Sequence, residues 1–99
     1  MIPRLEWDDR KNRRNRLKHG ISFEQVGDLF VSGAEYVEIF DDKHSLDEDR
    51  FICIGPIPSG IVVVVVTEPA ENVLRLISAR SASRREAVLY RSFIQGKQP

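Results

Sequence analysis

The chain has little of what most enzymatic sites are built from. In 99 residues there is one cysteine, Cys53, and there are two histidines, His19 and His44. A lone thiol cannot close an internal disulfide, and Cys53 lies in an apolar run, so it reads as a small buried hydrophobe. The histidines lie far apart with no companion at ligand spacing, so no zinc pattern exists and no metal is expected. A glycine-rich phosphate loop and a nucleophile elbow are also missing, and no cofactor is called for. The chain opens Met-Ile-Pro-Arg without an apolar leader, and its longest apolar run is far too short to cross a bilayer. A cytoplasmic protein with no membrane partner is expected, folded as one domain over residues 1–99.

Net charge is missing too. Fifteen basic residues are balanced by fifteen acidic ones, which by itself speaks against a general nucleic-acid binder. The charges are nevertheless segregated. Arg10, Lys11, Arg13, Arg14, Arg16 and Lys18 form one basic block, and Arg75 to Arg91 supply another. Acids gather at Asp41-Asp42 and Asp47-Glu48-Asp49. A neutral total can therefore hide a strongly positive face.

What is present in strength is Ile61-Val62-Val63-Val64-Val65-Val66-Thr67. Seven β-branched residues in a row favour an extended strand, because their stiff χ1 suits the pleat. The run does not alternate, so both faces must be covered, as in the central strand of a sheet. Around it the chain divides as follows. Ile2–Trp7 reads as a first strand. Asp8 or Asp9 caps a polar helix running to about Lys18, whose clearest apolar residue is Leu17 and whose C′ residue is Gly20. Ser22 and Gln25 form a capping box for a second helix with a Phe23, Val26, Leu29, Phe30 stripe, and Ile21 and Val26 are placed as a hydrophobic staple. Ser32-Gly33 ends it.

Strands follow at Glu35–Phe40, Arg50–Ile57, 61–67 and Val73–Ala79. They are separated by a loop over Asp41–Asp49, a Pro56–Gly60 turn and a Glu68–Asn72 turn. Ser83-Arg84-Arg85-Glu86 is a second capping box. It opens a terminal helix with Ala87, Tyr90 and Ile94 on one side and Leu89 and Phe93 beside them, and the tail from Gly96 reads as frayed. The fold class is α+β. A mostly antiparallel sheet of four to five strands carries two N-terminal helices and one C-terminal helix. Helices cover one face, and the rest of the second is open or covered by a partner.

Many arginines and lysines, two histidines and a few acids suit phosphodiester chemistry without a metal. Attack by a ribose 2′-OH on the adjacent phosphate needs a base, an acid for the leaving oxygen, and fixed cations for the phosphorane charge. Arginine serves the last role best, since its fork matches phosphate geometry. Arg80 and Arg75, with Arg50 near them, are the candidates for phosphate charge. Lys18, His19, His44 and Glu68 compete for acid and base. Arg84, Arg85, Lys11 and Trp7 are candidates for RNA contact. Each has a plainer alternative. Arg80 could serve in an ion pair, His44 could be a solvated imidazole in an acidic loop, and His19 a cation at a helix C-terminus. Trp7 could be a core or rim aromatic, and the basic helix could hold an acidic partner. Arg75, between Leu74 and Leu76, must point away from both.

The segment Glu6-Trp7-Asp8-x-x-Lys11-x-x-x-Asn15-x-x-Lys18-His19-Gly20-Ile21-Ser22-Phe23 resembles the opening signature of the BrnT toxin family. Asp41-x-x-His44-Ser45, Glu48-x-Arg50 and Ile54-Gly55 resemble its middle. Leu76-Ile77-Ser78-Ala79-Arg80 with Arg84-Arg85-Glu86 resembles its end. The resemblance implies a RelE-like fold and a ribonuclease toxin of a type II toxin–antitoxin system that arrests translation. It also implies a BrnA-type antitoxin with a ribbon-helix-helix domain, through which alone operator DNA would be bound. Two positions depart from the family pattern. Pro69 stands where members carry Arg, and Ser81 and Ser83 replace the Lys and Thr of an Ala-Arg-Lys-Ala-Thr run. The rival expectation is a weakened homologue that mainly binds its antitoxin in an operator-binding, autoregulatory complex.

Overall fold

The structure, a computed structural model, describes residues 2–44 and 48–96. The elements are β1 (Arg4–Glu6), α1 (Asp9–His19), α2 (Phe23–Val31), β2 (Val37–Phe40), β3 (Arg50–Ile57), β4 (Gly60–Ala70), β5 (Val73–Ser81) and α3 (Arg84–Gly96), with one 3₁₀ turn at Asp42–His44. The sheet order is β1-β5-β4-β3-β2. β1 runs parallel to β5, and the other pairs are antiparallel. Element order and helix count agree with the sequence reading. The middle of the Asp41–Asp49 loop and the tail beyond Gly96 lie outside the described residues.

The valine run forms the core of β4, and its two faces are covered differently. Val62, Val64 and Val66 pack with Phe23, Val26, Leu29 and Phe30 of α2 and with Leu76 and Ala79 of β5. Val63 faces the other way, into a smaller cluster with Val37 and Ile54, against which Tyr90 and Phe93 of α3 pack. Helices therefore lie on both faces. α3 takes part of the second face, which the sequence pattern had left to an open surface or a partner. Gly55 permits the close approach of α2: a Cβ there would lie 2.5 Å from Leu29 Cδ1 and 2.7 Å from Tyr36 Cβ.

β4 continues past Thr67 through Pro69 to Ala70, where a turn had been expected. The ladder with β5 slips between Thr67 and Ala70. Such an irregularity tolerates a proline that cannot donate to a regular ladder. The turn shrinks to Glu71-Asn72, with Asn72 in the left-handed region at φ 61°. A second slip, between Val65 and Val66, leaves Ile77 of β5 without an opposite number.

α1 is held by polar contacts. Asp8 caps it, its side chain accepting from the N–H groups of Arg10 and Lys11, and Gly20 closes it at φ 71°. Its buried residues are Asn12 and Asn15. Asn12 Oδ1 accepts from Phe23 N at 2.8 Å, and Asn12 Nδ2 donates to Glu24 at 2.7 Å. Asn15 Oδ1 accepts from Ala79 N at 3.0 Å, while its Nδ2 donates to Ala79 O at 2.8 Å and Ile21 O at 2.9 Å. β1 covers the outer edge of β5 only at Val73–Arg75. Beyond it, the Asn15 amide supplies Ala79 with the donor and acceptor that another strand would have given. Leu17, in contrast, is 89% exposed.

These contacts predict an inversion of the usual rule. Asn15→Ala leaves three buried backbone groups without partners and should cost about 2–4 kcal/mol, at the ~1–3 kcal/mol range for an orphaned buried group. Leu17→Ala should change stability by less than about 0.5 kcal/mol. Urea unfolding of both variants measures the difference, and equal losses would refute it.

Candidate functional site

Strand register places the arginines. Arg50 of β3 stands opposite Thr67 of β4, Thr67 opposite Arg75 of β5, and Arg75 opposite Glu6 of β1. Arg80 stands opposite Val63 and Ser78 opposite Val65. Residues directly opposite share a face, and alternate residues along a strand share it too. Arg50, Arg75 and Arg80 therefore lie on the face that carries α3. Leu74 and Leu76 pack into the core on the other side, as the alternation around Arg75 requires.

Arg75 and Arg80 are each held by a carboxylate. Arg75 Nε and Nη2 donate to Glu6 Oε2 at 3.2 and 3.1 Å in a half-exposed pair. Arg80 presents a two-pronged fork to Glu86, with both bonds at 2.7 Å. Glu86 is also the third residue of the α3 capping box, its carboxylate accepting from Ser83 N at 2.8 Å. The Arg80 guanidinium, and after it the bonds from Ser83, hold the Glu86 carboxyl down at about 2, and Glu86 in turn raises Arg80. Arg84 and Arg85 are exposed in the first turn of α3.

The acid–base candidates separate into two groups. Glu68 lines an acidic recess of about 510 Å³ with Glu48, Asp49, Phe51, Thr67 and Pro69. His44 is nearby in the fold, since the Asp41 N–H donates to Arg50 O at 2.8 Å. The His44 Nδ1 lies 2.9 Å from the largely covered Asp41 carboxylate, and its ring is mostly exposed. Such a pair orients an imidazole with Nε2 outward. Lys18 and His19 lie elsewhere. Together with Lys11, Arg14 and Asn15 of α1 and Ile77 and Ser78 of β5 they line a groove of about 300 Å³. The groove contains no acidic residue, and Ser78 shares its face of β5 with Arg80, two positions on.

The structure therefore brings Lys11, Lys18 and His19 together, with Ser78 linking their groove to the face of Arg80. It keeps Glu68 and His44 with Arg50 at the other end of the sheet. Trp7 packs edge to face on Phe23, with ring centroids 6.0 Å apart, at the margin of the core. Cys53 is buried, and burial pushes its thiol up to about 12, the inert state expected of a packed cysteine. Among the described residues, no group of three or more His, Cys, Asp or Glu is placed to hold a metal ion. Sequence reasoning missed Glu6 and Asn15 as parts of this surface and took Arg14 only as one of its basic block. The first needs the parallel β1–β5 pairing, for which no local signal exists. Glu86 was legible only as a cap.

The Arg80–Glu86 fork has a pH signature. Because the Glu86 carboxyl falls from 4.5 to about 2 on folding, its contribution is fully present above the unfolded value and is lost as pH falls through the folded one. Glu86→Gln keeps a side chain that can cap but removes the charge. The stability gap between the parent protein and this variant should be constant above about pH 5 and close between about pH 4.5 and pH 2. Urea midpoints across that range test it, and a gap that stays constant would exclude the fork as the cause.

Comparison with known proteins bears on what this surface does. No curated protein matches the chain. The crystal structure of the Brucella abortus ribonuclease toxin, BrnT, superposes with a TM-score of 0.62 at 28% identity, covering 83% of this chain and 99% of that one. The family model described as "Ribonuclease toxin, BrnT, of type II toxin-antitoxin system" matches residues 7–86. With four-fifths of its length matched, the basic groove and the arginine-bearing sheet face included, this chain belongs to the BrnT family of ribonuclease toxins of type II toxin–antitoxin systems.

Proposed function

We propose that the chain is a metal-independent endoribonuclease acting in the cytoplasm, and that it cuts RNA in the groove between α1 and β5. The observation that carries this reading is the composition of that groove. Lys11, Arg14, Lys18 and His19 line it without an acid, and Ser78 connects it to the face of Arg80. A concave site of one sign attracts a phosphodiester, whereas the acidic recess around Glu68 repels one. The reaction is attack of a ribose 2′-OH on the adjacent phosphorus. His19 or Lys18 removes the hydroxyl proton, and the other protonates the departing 5′-oxygen. Arg80, pre-aimed by Glu86, stabilises the phosphorane charge, while Arg75, held by Glu6 in the row of Thr67 and Arg50, adds positive charge farther along the same face. The products are a 2′,3′-cyclic phosphate and a free 5′-hydroxyl. Arg84 and Arg85 extend the positive surface for flanking nucleotides.

One observation favours the second reading, a weakened homologue that chiefly binds its antitoxin. Arg75 and Arg80 both already have carboxylate partners, and a phosphate must compete with these. Pro69 and Ser81 stand where the family pattern carries cations. In either reading the partner is a BrnA-type ribbon-helix-helix antitoxin, and operator DNA is bound through it.

Purified toxin should cleave RNA in EDTA and leave cyclic or 3′-phosphate ends. Loss of cleavage on chelation, with rescue by magnesium, would exclude the mechanism. His19→Ala and Arg80→Ala should each lower the rate by about a hundredfold or more, the usual cost of one catalytic group or oriented donor, with antitoxin binding retained. A parent protein that binds antitoxin tightly but cleaves nothing would establish the second reading. In gel shifts with operator DNA, the antitoxin alone or the complex should bind and this chain alone should not. Specific binding by the chain alone would contradict the assignment of operator recognition.

A further inference from the structure

α1 has a second exposed flank, turned away from β5. There Arg13, Arg16 and Leu17, with Gly20 and with Gln25 of α2, line a groove of about 550 Å³ that contains no acidic residue. Leu17 is 89% exposed, the most exposed of the large apolar side chains among the described residues. It stands on a helix that is otherwise almost wholly polar, and the α1 contacts described above do not use it. Arg13 has no ion pair among the described residues. The Glu24 carboxyl, lowered chiefly by its bond from Asn12, is lowered by the charge of Arg16 as well.

We propose that this groove docks an acidic segment of the antitoxin, which seats an aliphatic side chain against Leu17 and sets carboxylates beside Arg13 and Arg16. This rests on the family's toxin–antitoxin pairing and not on the cleavage mechanism. The chemistry of the lining selects the occupant. An exposed leucine in a concave, basic rim gains only from a partner that brings apolar surface and negative charge together. RNA brings the charge, but it has no aliphatic side chain to set against Leu17, and this groove has no aromatic side chain on which its bases would stack. A second copy of the chain docking here about a two-fold axis would set Arg13 and Arg16 against their own equivalents, which like-charge repulsion opposes. The position also gives a route to inhibition. The RNA groove lies on the opposite flank of the same helix, so a segment crossing α1 would reach Lys11, Lys18 and His19 with its continuation.

The test uses the full-length toxin and its cognate antitoxin. Leu17→Gln keeps a helix-compatible residue at an exposed position, and Arg13→Glu reverses the rim charge. Leu17→Gln should weaken antitoxin binding about tenfold or more, the loss expected when one leucine anchor goes. Arg13→Glu should slow association and flatten its dependence on salt. Cleavage of RNA by the free toxin should be unchanged in Leu17→Gln. Antitoxin affinity within about twofold of the parent in both variants would overturn the proposal. Unchanged affinity with cleavage lost would assign the groove to RNA. A toxin dimer that dissociates in Leu17→Gln with antitoxin affinity intact would assign it to self-association. The binding readout is independent of whether the parent protein cleaves, so failure of the docking surface and failure of the ribonuclease mechanism give different results.

Discussion

The carboxamide of Asn15 is the contact on which the arrangement of this molecule turns. Among the contacts of α1 it alone joins three parts of the chain: the helix, the Ile21 carbonyl at the start of the second helix, and both backbone groups of Ala79 on β5. A helix so rich in arginine and lysine has no apolar stripe with which to dock. A buried amide that matches a strand edge, donor to acceptor and acceptor to donor, replaces that stripe. Asn12 does the same for the turn into α2. The burial of these two asparagines fixes the direction in which every other side chain of α1 points. Lys11, Arg14, Lys18 and His19 line one flank, and Arg13, Arg16 and Leu17 line the other. Hydrogen bonds are directional where apolar contact is not, so this attachment specifies rotation about the helix axis as well as proximity.

The zero net charge conceals two different electrostatic solutions. On the sheet face, positive charge is matched at short range: Arg75 by Glu6, and Arg80 by Glu86. These pairs are partly exposed, so their worth to stability is modest. Their larger effect is to aim guanidinium groups that would otherwise sample many rotamers. Around α1 the grooves have cations and no acid among their lining residues, which leaves a field for an anionic partner. Three of the fifteen acids, Glu48, Asp49 and Glu68, share one recess at the other end of the sheet. One chain of no net charge thus carries basic grooves on both flanks of α1 and keeps its acidic recess apart.

Much of the fold was legible because its causes are local. The valine run, the Asp8 cap, the Gly20 terminator and both capping boxes act within a few residues, and all are found where the spacing places them. The limits of elements were less legible. β4 runs on through Pro69 because a slip in pairing with β5 accommodates a residue that local rules assign to a turn. The placement of α3 on the second face was not in the pattern either. Its apolar residues are compatible with either side of the sheet, and the second cluster around Val63, Val37 and Ile54 decides.

The sequence by itself determined the supply of chemistry: arginines, lysines and two histidines, no metal-ligand pattern, and motifs that resemble one family along most of the chain. It also determined that Arg75 turns away from Leu74 and Leu76, because strand alternation is a property of the backbone; Arg80, five residues on, shares the face of Arg75 only through the slip in pairing at Ile77. Only the tertiary structure decided which of these residues meet. Register between strands distant in sequence set Arg75 against Glu6 and aligned Arg50 with Thr67. The packing of α1 on the edge of β5 brought Lys18 and His19 beside Ser78 and left His44 and Glu68 at the other end of the sheet. Local rules act over a turn or a pleat. Which cation faces which groove depends on contacts across the chain, such as Asn15 to Ala79, whose energy exists only once the sheet and the helices have assembled.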